Sequence, residues 1–413
     1  MTDMKKRVPW MLMGMFMAFP ALSVEKPDPT LTLKIGDPRL KDKTVEVAPR
    51  VLYSAASGRA IPFDRMIAEV KGIRIIYVGE THDSLPMHDV EFKVLEALYA
   101  QDRDLGVGLE MLPVACQKTL NRWSLGLLTK EEFIREVGWY VHWNFNFRFY
   151  EKIFDFAREH RLPVYALNAP REVITKIRMR GWDALTAEEK AYFPGAPDLT
   201  NQDHRALIRA VFESADLPPQ MKGAGLDVVF DGLYRSQSAW DAVMAANTLR
   251  GAEMEGRRMV VFAGSGHLLY NLGINRRAFE RSRLAFRTVI PVSVPKDMKT
   301  ITAVRSLGDY IWGMEEEAKP AYPSVALVFK QFEALENLVV DAKPTDGAAK
   351  EAEFEKGDVV LSVDGKPFSD INELRTYLAG FGWGTETKFR VLRSGQVRDI
   401  VLKFDPATLN EKK

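Results

Sequence analysis

The chain has 413 residues, 46% of them hydrophobic and 27% charged, a globular composition long enough for two domains and unlike that of a disordered protein. Its 57 basic and 56 acidic residues leave a net charge of +1, so no polyelectrolyte attraction is built in and nucleic acid is not an expected partner. The single cysteine, Cys116, excludes an internal disulfide framework and a cysteine-rich metal site. Following Leu112-Pro113-Val114, it reads as a small buried hydrophobe.

At the start, Met-Thr-Asp-Met-Lys-Lys-Arg precedes the apolar run VPWMLMGMFMAFPALSV, which Pro9, Gly14 and Pro20 interrupt. The run falls short of the roughly 20 residues that span a bilayer. Residues 1–24 are therefore expected to be a secretory signal cut near Ser23, which makes the protein secreted and periplasmic. An uncleaved segment associating with the membrane is the alternative. No cysteine follows the run, so a lipoprotein attachment site is missing. Residues 25–50, rich in Pro and Lys, read as a linker.

Strand-like runs follow at 73–78, 105–109, 163–167 and 259–263, separated by amphipathic stretches such as 90–100, where Val90, Val94, Leu95 and Leu98 share one face. Alternating strand and helix predicts parallel pairing. The first strands lack in-and-out alternation, which predicts a sheet covered on both faces. The expectation is an α/β domain over 51–300, with a mostly parallel central sheet flanked by helices and a helical insert at 171–250 that lids the site. After a second linker at 301–321, short strands with Asp364-Gly365 and Ser394-Gly395 turns predict a small β-rich domain over 322–406. Its one helix starts at Ser369-Asp370 and carries Ile371, Leu374 and Leu378 on one face.

In a parallel sheet, the loops at the carboxyl ends of neighbouring strands converge on one edge. Here each such end is polar. RIIYVGETHD delivers Glu80, Thr81, His82 and Asp83, with Gly79 expected to let the chain turn away; LGVGLEM delivers Glu110; VYALNAPRE delivers Asn168 and Arg171; VVFAGSGH delivers His267. His82 and His267 with Glu80 and Glu110 form a nitrogen and oxygen set for a divalent cation, or imidazole and carboxylate pairs for general acid and base work. The plain alternative is a set of hydrogen-bonded loop residues. His88 is either a rim ligand or a solvated first-turn residue. In GWYVHWNFNFRFYEKIF, which carries His142, eight of seventeen residues are Trp, Tyr or Phe, which suits core and lid packing or, beside Tyr150 and Arg148, the wall of a porphyrin pocket. Gln237, Asp241 and Met244 share a helix face, as a pocket wall or as packing. His160 and His204, in charged helical contexts, read as solvated.

These motifs in order (GETHD, GLEM, the Trp-rich segment running into FYEKI, ALNAPRE, SQSAWDAVMA, GSGH) resemble the ChaN family of haem-binding uptake proteins, within the Tiki and erythromycin-esterase-like group. The resemblance covers about residues 50–295. It implies haem binding in iron uptake, with a tyrosinate ligating haem iron at a homodimer interface; Tyr150 and Tyr270 are the candidates. Tiki-like relatives imply instead a metal-dependent peptidase, and the esterase relatives lactone hydrolysis; His82, His267 and Glu110 match the shared motif positions. KGDVVLSVDGKPFSDINELRTYL resembles a PDZ domain of the periplasmic-protease kind, which implies docking of a peptide or envelope protein. Its carboxylate-capturing loop, near 323–327, departs from that pattern in having no glycine. The leading expectation is a haem- or metal-binding protein with a partner-docking module. A metal-dependent hydrolase using the same His and Glu residues comes second, and an inactive envelope scaffold third.

Overall fold

A computed structural model describes residues 28–214, 225–332, 336–345 and 347–409. The expected signal segment lies outside the described residues, among which no helix is long and apolar enough to cross a membrane. Three short strands open the described chain: β1 (Thr44–Val47), β2 (Leu52–Ser54) and β3 (Arg59–Ala60). The four apolar runs become β4 (Ile75–Glu80), β5 (Leu105–Pro113), β6 (Val164–Asn168) and β7 (Arg258–Gly264). After them come β8 (Phe286–Val294), β9 (Ile301–Val304) and β10 (Tyr310–Glu315).

The main sheet has the order β3-β2-β10-β8-β4-β7-β5-β6. Every pair from β10 to β6 is parallel, and β2 and β3 add an antiparallel edge. Each residue of β4, β5 and β7 is buried, as a sheet covered on both faces requires. Successive side chains supply two separate cores: Ile75 and Tyr77 pack with the helices Arg171–Arg180, Gln202–Ser214 and Leu226–Leu249, while Ile76 and Val78 pack with Leu85–Gln101 and the aromatic segment.

Two expected linkers belong to the main domain instead. β1, from the first, pairs with β9, from the second, and β10 is an interior strand between β2 and β8. The domain therefore extends past residue 300 to at least Glu315. β8 carries Pro291, a residue that argues against a strand in the sequence; it lies beyond the last residue pair with β4, Val78 and Val289, so that ladder loses no bond.

The C-terminal unit is an antiparallel sheet of β11 (Phe329–Gln331), β12 (Leu338–Val340), β13 (Val359–Val363), β14 (Glu386–Arg393) and β15 (Gln396–Lys403), with its own core around Phe354, Val360, Leu374, Phe389 and Leu402. Asp364-Gly365 and Ser394-Gly395 hold positive φ at both positions, the conformation that matches hairpin twist. In the glycine-free loop, Ala326 takes φ +52, where a glycine would sit without strain.

The helix Ile371–Ala379 of this unit grips the aromatic segment of the main domain. Asn372, 4% exposed, accepts from the Tyr140 N–H at 2.8 Å and donates to the Ile134 carbonyl at 3.1 Å. Arg375 donates to the Tyr140 carbonyl at 2.9 Å, and Asn146 donates to the Ala379 carbonyl at 2.9 Å. Both backbone groups of Tyr140 are thus held from the neighbouring unit.

Candidate functional site

The carboxyl ends of β4, β5 and β7 meet as the strand order predicts. Gly79 remains inside β4, so it does not turn the chain; a Cβ there would lie 2.6 Å from Ser265 Oγ, and its absence lets the loop after β7 close over β4. Glu80 ends β4 fully buried and accepts from His82 Nδ1 at 2.5 Å. On β5, Glu110 accepts the Gly264 N–H at 2.7 Å with one oxygen and faces His267 Nε2 at 3.2 Å with the other. The opposite nitrogen of that ring, Nδ1, lies 2.6 Å from Asp241, and the Gln237 amide is 2.8 Å from the same atom. Asp241 in turn faces His204 Nε2 at 3.2 Å. On the other side of the floor, His88 Nδ1 bonds Glu91 at 2.7 Å, and Nε2 sits 3.9 Å from Glu80. Two runs of alternating imidazole and carboxylate result, His204-Asp241-His267-Glu110 and Glu91-His88-Glu80-His82. They meet at Gly264, where a Cβ would lie 2.7 Å from His82 Cε1.

This packing sets the charges. Burial opposes the His267 imidazolium, but Glu110 and Asp241 outweigh it and raise its pKa to about 10. Burial likewise opposes the Glu110 carboxylate, and His267 overcomes it, holding Glu110 down at about 2. Asp241 is held well below the usual carboxylate range against its burial by His267 and His204. For His88, burial is outweighed by Glu91, and the pKa rises to about 9. Glu91 itself is pushed up to about 7 by burial, with His88 opposing. Burial lowers the His82 pKa, and Glu80 together with Glu110 outweighs it, leaving it raised. At neutral pH, His267 is an imidazolium clamped between two carboxylates.

Above this floor lies a narrow cleft. Trp143 and Trp240 line it together with His142, Asn168, Arg171 and Arg178. The His82 ring meets Trp143 edge-on at 4.7 Å. Burial lowers the pKa of His142, of Arg171 and of Arg178. Asn168 reaches the rim, with its amide donating to the Glu110 carbonyl at 3.2 Å. Asp83 stays on the half-buried loop beside His82.

The other expected residues lie elsewhere. Tyr150 is fully buried beneath the cleft, with its ring 4.5 Å from that of His88 and its hydroxyl accepting from Trp143 Nε1 at 3.1 Å. Tyr270 holds the N-terminal segment, donating to the Thr30 carbonyl at 2.6 Å and accepting the Leu33 N–H at 3.0 Å. Arg148 is exposed and stacks on Tyr322 at 4.2 Å. His88 is 2% exposed and therefore not the solvated first-turn residue. His204, read as solvated, is wholly buried, because it shares a helix face with Leu207, Ile208 and Val211. That i, i+3, i+4, i+7 spacing was a usable signal, as it was for Glu91 with Val94, Leu95 and Leu98. Arg178 and Trp240 carried none, whereas His142 stood in the aromatic run read as core packing or a pocket wall.

A metal held by His82, His267 and Glu110 does not fit this arrangement. Among the described residues no three His, Cys, Asp or Glu side chains are grouped as a metal requires. Nε2 of His267 already faces Glu110 and Nδ1 faces Asp241, so a cation taking Nε2 would have to displace the proton between His267 and Glu110. The donor chemistry of the cleft does fit a porphyrin: an imidazole that burial favours as neutral, two guanidiniums for carboxylates, and indole walls.

Residues 66–278, just over half of the chain, match the family model described as haem-binding uptake, Tiki superfamily, ChaN, and residues 329–404 match a PDZ domain. Among solved structures, the ChaN of Campylobacter jejuni, described by its cofacial haem binding, is similar at TM-score 0.50 and 18% identity over 63% of this chain and 95% of that one, a likeness of fold. An erythromycin esterase mutant in its open conformation aligns at TM-score 0.36 and 12% identity over 61% of this chain and 83% of that one. The periplasmic pH-dependent serine endoprotease DegQ of Escherichia coli strain K12 is 34% identical over 71 residues, 17% of this chain and 15% of that protein. The chain thus spans less than a sixth of that protease.

Proposed function

This chain belongs to the haem-binding uptake, Tiki superfamily, ChaN family, and from that membership we propose that it is an exported protein that takes up haem at the carboxyl-edge cleft for iron acquisition. The observation that carries the reading is the cleft's lining, in which Trp143 and Trp240 offer flat apolar contact and Arg171 and Arg178 offer cations to propionates. Haem, when bound, would supply the iron chemistry; the chain's own residues bind and orient it. The basic start and apolar run of residues 1–24 support export. The PDZ domain supports docking of a peptide or envelope partner, since β11 is an edge strand open to an added strand. Cofacial binding is described for the Campylobacter jejuni protein, and for this chain we extend it to stacked haems bridging two copies.

Haemin titrated into the full chain is expected to give a shifted Soret band and to quench tryptophan fluorescence. Joint replacement Arg171→Ala and Arg178→Ala should weaken binding by about tenfold, the worth of roughly 1.4 kcal/mol of lost charge-assisted hydrogen bonding. An unshifted band at saturating haemin would end the proposal.

A second reading, hydrolysis without a metal, is favoured by the buried imidazole and carboxylate pairs, an investment that haem binding alone does not require. In it, His82, oriented by Glu80, takes a proton from water, and the protonated His267 stabilises the developing oxyanion. Because Glu80 raises the His82 pKa, turnover should increase toward alkaline pH, persist in EDTA and vanish in His82→Ala. Chromogenic ester assays read this directly; absence of turnover at every pH removes it. A chain indifferent to haemin and esters alike would be the inactive scaffold.

A further inference from the structure

We propose that the PDZ unit shapes the cleft: Asn372 and Arg375, on its helix Ile371–Ala379, are positioning residues that set the wall segment bearing His142 and Trp143. That the cleft is the site rests on the haem-binding reading above; the positioning rests on contacts between the two units.

The wall segment follows a break in the chain. The helix Lys130–Val137 stops at Gly138, whose φ of +63 ends that helix and leads into the four-residue helix Trp139–His142. So short a helix does not hold itself in water, and its first N–H groups have no partner within it. Gly138, at the capping position, has no side chain to offer one. The acceptor comes from the other unit instead: the Asn372 side-chain oxygen takes the Tyr140 N–H at 2.8 Å, while its amide nitrogen donates to the Ile134 carbonyl at 3.1 Å. One buried side chain therefore spans the break.

Arg375 adds a second hold, its Nη1 donating to the Tyr140 carbonyl at 2.9 Å and to Asn144 Oδ1 at 2.6 Å. At the far end of the segment, Asn146 caps the PDZ helix in turn, donating at 2.9 Å to the carbonyl of Ala379, its last residue. The helix does this without giving up its own unit. Leu374 and Leu378 turn one face into the PDZ core, while Asn372, Arg375 and Ala379, at i, i+3 and i+7, present a neighbouring face to the main domain.

Between the anchors at Tyr140 and Asn146 lie the residues that make the wall. His142 and Trp143 line the cleft. Trp143 meets the His82 ring at 4.7 Å and bonds the Tyr150 hydroxyl through its Nε1 at 3.1 Å, and the Phe145 ring lies 5.0 Å from His82. His82 thus senses the PDZ helix through two aromatic side chains. A binding surface is only as well placed as the shell behind it, and here that shell belongs to the docking module.

The test uses the full-length chain with isotope-labelled histidine and tyrosine, followed by nuclear magnetic resonance. In the double variant Asn372→Ala with Arg375→Ala, the Tyr140 amide should exchange with solvent about tenfold faster. The His82 and His142 ring signals should shift or broaden, while His160, stacked on Tyr99 and Phe156, keeps its own. Haemin, read by tryptophan quenching, should bind about fivefold more weakly. Asp370→Ala is the control: it removes the cap of the same helix, a bond to the Glu373 N–H within the PDZ unit, and should leave the His82 and His142 signals in place. Faster exchange at Tyr140 with unmoved His82 and His142 signals would make the PDZ helix a tether only and overturn the proposal. Equal shifts in Asp370→Ala, or an unchanged Tyr140 amide in the double variant, would overturn it too. Failure of wild type to bind haemin removes the haem reading alone, since the histidine signals still decide the positioning.

Discussion

Asp241→Ala is expected to destabilise the protein by about 3–5 kcal/mol, the cost typical of removing one partner from a buried ion pair. Asp241 is fully buried on the long helix and stands between two imidazoles, 2.6 Å from His267 and 3.2 Å from His204. Without it, the His267 imidazolium keeps only Glu110, and His204 loses its facing carboxylate. Proton loss from His267 can relieve part of the penalty, which favours the lower end of the range. For a domain of this size, about 3 kcal/mol corresponds to a fall in Tm of roughly 6–12 °C. The pH dependence should change as well. His267, raised to about 10, contributes stability that is complete below its unfolded value near 6.5 and lost as pH rises through about 10. Glu110, lowered to about 2, contributes stability that is complete above its ordinary value of 4.5 and lost as pH falls toward 2. The contributions of these two groups are therefore both complete only between about 4.5 and 6.5, and removing one of the two anions around His267 should move the alkaline loss toward neutrality. Denaturant melts across pH measure both arms. A loss under 1 kcal/mol with an unmoved alkaline limb would mean that the imidazolium clamp is not formed.

Gly273→Ala is the second large effect, about 3 kcal/mol from overpacking against backbone. Gly273 directly precedes the helix Ile274–Ser282. A Cβ there would fall 2.1 Å from the His267 carbonyl oxygen and 3.2 Å from Asp241 Oδ2. The carbonyl belongs to the backbone that carries the clamped imidazole, so relief requires moving the site itself. The variant should both melt early and bind haemin more weakly. Wild-type stability in Gly273→Ala would show that the loop after His267 has room to shift.

The α/β class, the parallel strands and the polar strand ends were legible because they depend on local sequence. A covered strand is an uninterrupted apolar run, and the residue after it must reach the carboxyl edge; Glu80, Glu110, Asn168 and His267 all arrive there. The PDZ unit was legible for the same reason, since its hairpin turns need φ above zero and the Asp-Gly and Ser-Gly pairs announce it. β2, β8 and β10 were not, since three short or proline-bearing stretches become strands only when partners up to roughly 250 residues away supply the hydrogen bonds.

The sequence by itself therefore determined which residues stand on the carboxyl edge, through the period of the strands and the placement of glycines and polar residues just beyond them. Only the tertiary structure decided what those residues are to one another. Whether His267 holds a metal or a proton depends on Asp241 and Glu110 reaching its two nitrogens from a helix and a strand distant in the chain. Whether a tyrosine or a histidine faces the cleft depends on which ring the aromatic layer buries. Both are settled by burial and by distances of a few ångströms, which no spacing along one chain encodes.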